Sequence, residues 1–587
     1  MNAQDTSFKD LLLKEEEIRV PFFQRAYVWE KEHWEKLFEE LNYSEKDKEP
    51  FFGSIVFKRS QKCDNYIKLI DGQQRITTFS ILLKAIIDQI NIDELNANQS
   101  DDEKKSLNIF KFCIYSKTLE NKPLIKHSHI DEKEYKKILK DNLSKENTKN
   151  LEENRITNCY LFFKEKIERY FKTNKEKYEF ADKIIKLKSF VGVSLEGNED
   201  EQKIFDAINS TGEKLTATDI IKNSLFDKII KESDENEAIQ LYDEYWKNIF
   251  EKDEDELNFW NVEIKTGSES RTRSEILFHT IAILKGIFTE TDNLSKLSDI
   301  YKNHIKDKNK NELENLLKDI KKYSEIYHKL PEISSDTLID YDDEIRFFHI
   351  LQFCNIKTPF LPIIFILKDK FKDTSNFKKC LQLIEIFVFF RNLNEKRSSS
   401  YNKMVMKIIK ELNGYEQNIY EILKNNLLAE IPKKDEIKNI LYEIDNKKAK
   451  IILFWIELFR ENKVKSYKDK TIGLNFVYQL EHIMPQTWEE NWSDIINNNE
   501  EKAYELIYQI GNMTLLKGSL NATLSNLSWD RKKNGDNGKY KYHISNNADL
   551  IINKELLDKE IWNETEITKR SENLIKEFFE IWNYDNL

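Results

Sequence analysis

Phe476-Val-Tyr-Gln-Leu-Glu481-His482-Ile-Met-Pro485-Gln486, followed by Ile510-Gly-Asn512-Met-Thr-Leu-Leu516, carries the pattern that decides the C-terminal fold. Large apolar residues alternate at Phe476, Tyr478 and Leu480, the two-residue period of a strand, and Pro485 ends it. The second run predicts a partner strand. From about Leu520 the pattern turns helical and carries Asn521, Asn526, Trp529, Arg531, Lys532 and Lys533. Two strands and a helix are therefore expected. On a regular strand Glu481 and His482 point to opposite faces, so both serve one site only if the chain bends there.

These residue types suit phosphodiester hydrolysis. That reaction needs a base to activate water, a divalent cation to stabilise charge on the leaving oxygen, and cations to hold the backbone. A neutral imidazole is a suitable base near pH 7, and a hard cation such as Mg²⁺ or Mn²⁺ takes carboxylate and amide oxygens. Glu481, His482 and Asn521 supply those parts, and Lys532 and Lys533 are candidate contacts to DNA phosphates. The arrangement resembles the ββα-metal (HNH) nucleases. The resemblance implies His482 as general base, Glu481 and Asn521 as metal ligands, and Asn512 as the residue that steadies the loop holding His482. Glu481 departs from the family's more usual Asp. The wider pattern, over about residues 400 to 587, resembles the C-terminal domain of GmrSD-type proteins.

A second signal lies near the start, in Tyr66-Ile-Lys-Leu-Ile-Asp71-Gly72-Gln73-Gln74-Arg75-Ile-Thr77-Thr78. A buried strand runs into a tight turn and a helix opens at once, which places unpaired N–H groups and partial positive charge at the turn. Gly72 permits close backbone approach, Arg75 offers a bidentate fork, and Asp71 offers a carboxylate for a metal, a ribose or a water. Val20-Pro-Phe-Phe-Gln24-Arg25-Ala-Tyr-Val-Trp29 and Phe205-Asp-Ala-Ile-Asn209-Ser-Thr-Gly212 complete three blocks. Over about residues 8 to 230 they resemble the DGQQR-motif domains, which are related to ParB and sulfiredoxin folds. That resemblance implies binding and hydrolysis of a nucleoside triphosphate around Asp71, Gly72, Gln73, Gln74, Arg75 and Thr77, with Gln24 and Arg25 nearby. There is no Gly-Lys-Ser/Thr phosphate loop, which argues against a P-loop motor.

Composition bounds the rest. The chain has 587 residues, 34% of them charged, with only 13 Gly and 8 Pro, which fits a helix-rich globular protein with short connections. Five scattered cysteines form no CxxC, so neither a disulfide framework nor a thiolate zinc site is expected. The net charge of −11 restricts nucleic-acid contacts to local basic surfaces. No apolar run reaches a membrane span and the first residues show no signal pattern, so a cytoplasmic protein is expected. His127-Ser-His129 lacks a nearby third ligand and reads as solvated or capping histidines, and Phe347-Phe348 and Phe389-Phe390 read as core.

The expected fold class is α+β and predominantly helical. It comprises a ParB/sulfiredoxin-like α/β domain over 1–235, a helical middle over 236–400, and a helical C-terminal domain over 401–587 with a ββα-metal core. Both ends together resemble the single-chain GmrSD and SspE group of modification-dependent restriction and phage-defence proteins. The resemblance implies a nucleotide-regulated endonuclease acting on modified phage DNA, with homo-oligomers among its expected assemblies. Two alternatives stay open: a nuclease toxin acting on RNA or unmodified DNA, and a DNA-binding regulatory module whose nuclease site is degenerate.

Overall fold

In the first half of the chain, short strands alternate with helices whose apolar faces meet a single sheet. The computed structural model describes residues 2–12, 17–43, 50–59, 66–90, 101–116, 122–140, 154–195, 215–266, 269–371, 375–396, 400–412, 418–464, 473–493 and 499–587. These form two compact units, Met1–Asn248 with Tyr301–Glu314, and Ile249–Ile300 with Asn315–Leu587.

The first unit holds a six-stranded mixed sheet of β1 (Asn2–Thr6), β2 (Glu17–Arg19), β3 (Ser54–Arg59), β4 (Tyr66–Asp71), β5 (Ile125–Lys126) and β6 (Phe190–Leu195). Their order is β1-β6-β3-β4-β2-β5, with β3–β4 antiparallel and β2–β4 parallel. Alternation sorts the side chains between faces: Ile55, Phe57, Ile67 and Leu69 join the main core, while Val56, Ile70, Val193 and Leu195 pack on the other side. Helix α1 (Lys31–Tyr43) buries Trp34, Leu37, Phe38 and Leu41 on one stripe. Helix α2 (Gln73–Ile87) is buried continuously from Ile76 to Ile86, as a helix apolar all round must be. Gly72 opens it at φ 95°, a left-handed conformation that disfavours side-chain-bearing residues.

Several elements differ from the sequence expectation. Strand β2 ends at Arg19, two residues before Pro21, which has no N–H for the ladder. Strand β1 has no apolar alternation to announce it and is held by antiparallel pairing to β6. His127 is not solvated. It is buried against the Tyr135 ring at 4.2 Å, its Nε2 has no hydrogen-bond partner among the described residues, and burial pushes its pKa down to about 3. The Asn209–Gly212 turn lies outside the described residues.

The second unit is mostly helical, and the hairpin of β7 (Glu263–Thr266) and β8 (Glu269–Thr272) interrupts the stretch expected to be a helical middle. Helix α3 (Asp343–Phe353) buries Phe347 and Phe348, and α4 (Ser375–Leu393) buries Phe389 and Phe390, so those pairs are core. Arg346 and Glu385 form a buried pair at 2.8 Å, and Trp582 donates to the same carboxylate at 2.7 Å. The last residues of the chain therefore share one core with α4. Helix α5 (Asn446–Val464) lies alongside the hairpin of β9 (Gln479–His482) and β10 (Met513–Leu516). Helices α6 (Gly518–Leu524), α7 (Trp529–Gly538) and α8 (Glu564–Ile581) follow. Among the described residues, no helix is long and apolar enough to cross a membrane.

Candidate active site

The β9–β10 register sets Glu481 opposite Thr514 and His482 opposite Met513. Strand alternation then sends the two side chains different ways. Glu481 meets α7, where Lys532 Nζ donates to its Oε1 at 2.5 Å and to the His482 carbonyl at 3.0 Å. The His482 ring turns toward the loop before β10. Its Nδ1–H donates to the Ile507 carbonyl at 3.0 Å, which leaves Nε2 as the lone-pair nitrogen of a neutral ring. Asn446, the first residue of α5, has its side-chain amide at that nitrogen, with Oδ1 placed 2.9 Å away. A neutral ring accepts there, which calls for the amide to be turned so that its NH₂ faces Nε2. The segment bearing Asn446 is itself tied down, because Ile444 N–H donates to the Tyr508 carbonyl at 3.0 Å.

Burial decides the charge states. It pushes His482 below its ordinary value, with Lys532 adding to the shift and the Ile507 carbonyl opposing it. It pushes Glu481 up and Lys532 down, while their mutual attraction opposes both shifts.

Asn512 is fully buried and binds backbone on both sides of the loop after β9. Its Oδ1 accepts from Met484 N–H at 2.8 Å and from Trp562 Nε1 at 3.0 Å, and its Nδ2 donates to the Met484 carbonyl at 2.9 Å. Asn521 Nδ2 donates to the Leu480 carbonyl at 3.2 Å, so its amide lies beside β9 one residue before Glu481. Its Oδ1 is buried and has no hydrogen-bond partner among the described residues. A buried amide oxygen without a donor is suited to a cation. Glu481 takes one hydrogen bond among the described residues, on Oε1, so Oε2 is the second available oxygen. No group of three His, Cys, Asp or Glu among the described residues is placed to hold a metal. A hard cation here would therefore rely on Glu481 Oε2 and Asn521 Oδ1, completed by water and phosphate. The lysines expected on DNA phosphates are engaged inside the unit: Lys532 is fully buried on Glu481, and Lys533 donates to the Lys559 carbonyl at 2.8 Å.

The Asp71–Arg75 turn opens onto a cavity of about 490 Å³ lined by Gln24, Arg25, Trp29, His33, Lys36, Gly53, Asp71, Gly72, Gln73, Gln74, Arg75 and Asn223, among others. Much of the motif is spent on holding the cavity's shape. Gln73 Nε2 donates to the Arg25 carbonyl at 2.7 Å, and Gln74 both donates to Ala26 O and accepts from Val28 N–H. Gln24 donates to the Leu69 and Ile70 carbonyls, each at 3.2 Å. Arg75 donates to Ser54 O at 2.9 Å and reaches Asp71 at 3.5 Å. Burial pushes the Asp71 carboxyl up against the pull of Arg75. Thr77 is buried and does not line the cavity. The Trp29 and His33 rings lie parallel at 5.6 Å along one wall, and the buried Asn223 Oδ1 has no partner among the described residues. These are polar and stacking groups suited to a nucleotide.

Comparison with known families settles kinship. The GmrSD restriction endonuclease N-terminal domain matches residues 8–226, and the GmrSD restriction endonucleases C-terminal domain matches residues 431–577. The chain belongs to the GmrSD restriction endonuclease family. Both clusters described above fall inside the matched segments, and Asn446 and Ile507, which motif reading passed over, lie within the second. Reticulocyte-binding protein homolog 1 of Plasmodium falciparum (isolate 3D7) is 26% identical over 251 residues, which are 42% of this chain and 8% of that protein. The chain thus matches less than a tenth of the curated relative's length, and the likeness carries no functional argument.

Proposed function

We propose that the chain is a nucleotide-regulated, modification-dependent DNA endonuclease whose base is His482. The observation that carries this reading is the His482 ring itself. It stands at the end of a two-stranded sheet followed by helices, with Nδ1 committed to the Ile507 carbonyl and, among the described residues, Nε2 facing the Asn446 side chain. Fixing one nitrogen on a carbonyl sets the tautomer and aims the other. Once the Asn446 amide turns aside, Nε2 takes the proton from the attacking water. Glu481 leaves β9 on the face opposite His482, so the strand end has to bend for both to act on one bond; Glu481 Oε2 and Asn521 Oδ1 would then hold the cation, which when bound would stabilise charge on the leaving oxygen. Asn512 keeps the loop after β9 in register. The architecture is read as ββα-metal for the second unit and ParB/sulfiredoxin-like for the first. The first unit's cavity takes a nucleoside triphosphate, and its occupancy gates cutting.

The wild-type chain is expected to cleave DNA carrying a base or backbone modification in Mg²⁺ or Mn²⁺, and to lose that cleavage in EDTA. Equal cutting of plain DNA or RNA would move the reading to an unselective nuclease toxin. Asp71→Ala and Arg75→Ala are expected to abolish nucleotide hydrolysis, measured as released phosphate. Hydrolysis that survives both would remove the turn from that role.

One observation favours a second reading. Lys532 already neutralises Glu481 from inside, as an internal cation would in a DNA-binding regulatory module that cuts nothing. Calorimetry separates the two, since only the nuclease binds a divalent cation alone or on DNA.

A further inference from the structure

Lys532 and Lys533 face inward, but the chain just after them does not. Lys539, Tyr540, Lys541 and Tyr542 are four successive exposed residues, with Tyr540 45% and Tyr542 53% exposed. We propose that this loop, with Arg531, is a docking platform for the DNA flanking the cleaved bond. The two tyrosine rings lie against bases or sugars, and the cations meet phosphates. The proposal rests on the nuclease reading above and adds where the substrate is held.

The loop is a built surface. Gly535 at φ 68° and Asp536 at φ 56° turn the chain at the end of α7. Tyr540 N–H then closes onto the Gly535 carbonyl at 2.9 Å. A Cβ on Gly535 would collide with the Tyr540 carbonyl and the His543 ring, so the close return requires glycine. His543 is buried, with Nδ1 3.2 Å from the Lys533 carbonyl, and Ser545 Oγ donates to that same carbonyl at 2.6 Å. The platform is thus anchored one residue from Lys532, whose ammonium touches Glu481 and the His482 carbonyl.

Charge and ring placement choose the occupant. The whole chain carries −11, yet with Lys532 and Lys533 turned inward this stretch still presents Arg531, Lys539 and Lys541 against one acid, Asp536. Among the described residues neither Lys539 nor Lys541 is paired with an acid, and Arg531 meets only Asp536, at 3.7 Å. Arg531 and Lys539 lie 5.5 and 5.7 Å from the Tyr540 ring, so cation and ring present one surface. Alternating exposed cations and aromatics are the pattern by which proteins track a nucleic-acid strand, with charge on the phosphates and rings on the bases. An acidic protein segment would satisfy the lysines and leave both rings without a purpose.

The test uses the full chain carrying His482→Ala, so that substrate stays intact, and reads fluorescence anisotropy of a labelled duplex with an unpaired flank across a salt series. Lys539→Ala/Lys541→Ala should weaken binding and flatten the plot of log affinity against log salt by about 2, near 0.9 for each phosphate no longer neutralised. Tyr540→Ala/Tyr542→Ala should weaken binding about thirtyfold or more at every salt concentration with the slope unchanged, and the Tyr→Phe pair should bind like the parent. Unchanged DNA binding in both alanine pairs overturns the platform. So does tighter binding of an RNA of the same sequence or of an acidic peptide. If the parent binds no DNA at all, the nuclease reading fails and the platform falls with it. If the wild type cuts DNA while the variants bind normally, only the platform fails.

Discussion

His482→Ala is expected to lower the rate of metal-supported DNA cleavage by ~10²-fold or more, the usual contribution of a positioned general base. The melting temperature should stay close to the parent's, because the ring makes two hydrogen bonds at the rim of its unit and is not part of the apolar core. The pH profile sharpens the test. In the proposed reaction the neutral ring is the active form, and burial together with Lys532 holds its pKa below the ordinary 6.5. The acid limb of kcat/KM should therefore lie below pH 6.5, with rates level above it, and His482→Ala should lack that limb. The sign for stability follows from the same shift. A depressed pKa means the unfolded chain takes the proton first, so this residue's contribution is intact above pH 6.5 and is lost as pH falls toward the folded value. Equal cleavage by the two proteins would remove His482 from the chemistry.

The hairpin at this site was legible because period-two alternation and a proline stop are local signals. Phe476, Tyr478 and Leu480 announce a strand, although pairing itself begins only at Gln479. The opposite faces of Glu481 and His482 followed from the same periodicity, and the structure honours them. What surrounds each side chain was not legible. Asn446 lies 36 residues before His482 and Lys532 lies 51 after Glu481, and nothing in either neighbourhood marks a partner at that range. A lysine between Arg531 and Lys533 on a polar helix reads as solvated, and only the tertiary fold turns it inward. The same limit holds in the first unit. The amides of Gln73 and Gln74 look like ligand-binding groups in a motif, yet an amide serves equally well to staple a loop, and here both hold the 25–28 backbone. Strand β1 was invisible for a different reason: Asn2 to Asp5 are all exposed, so no alternation records the pairing.

Lys532→Met should cost about 3 kcal/mol of stability, because it leaves Glu481 buried without its counter-charge. A thermal melt of the full chain reads the effect. The double variant Glu481→Gln/Lys532→Met should recover much of the loss, since an apolar and a neutral group then replace the pair together. Lowering the pH should also help the single variant. Burial raises the Glu481 pKa, so its protonated form is the one the fold prefers. That contribution is fully present below the unfolded value of 4.5 and is lost as pH rises through the folded value. Metal adds the deciding arm. If Glu481 and Asn521 hold a cation, Mg²⁺ or Mn²⁺ should raise the melting temperature of Lys532→Met more than that of the wild type, because the ion takes over the charge that the ammonium supplied. In Asn521→Ala/Lys532→Met that extra stabilisation should shrink, because the amide oxygen aimed beside β9 is gone. Identical metal responses in all three proteins would make Glu481 a structural partner of Lys532, and the hydrolytic burden would then fall on His482 and on whatever the substrate brings.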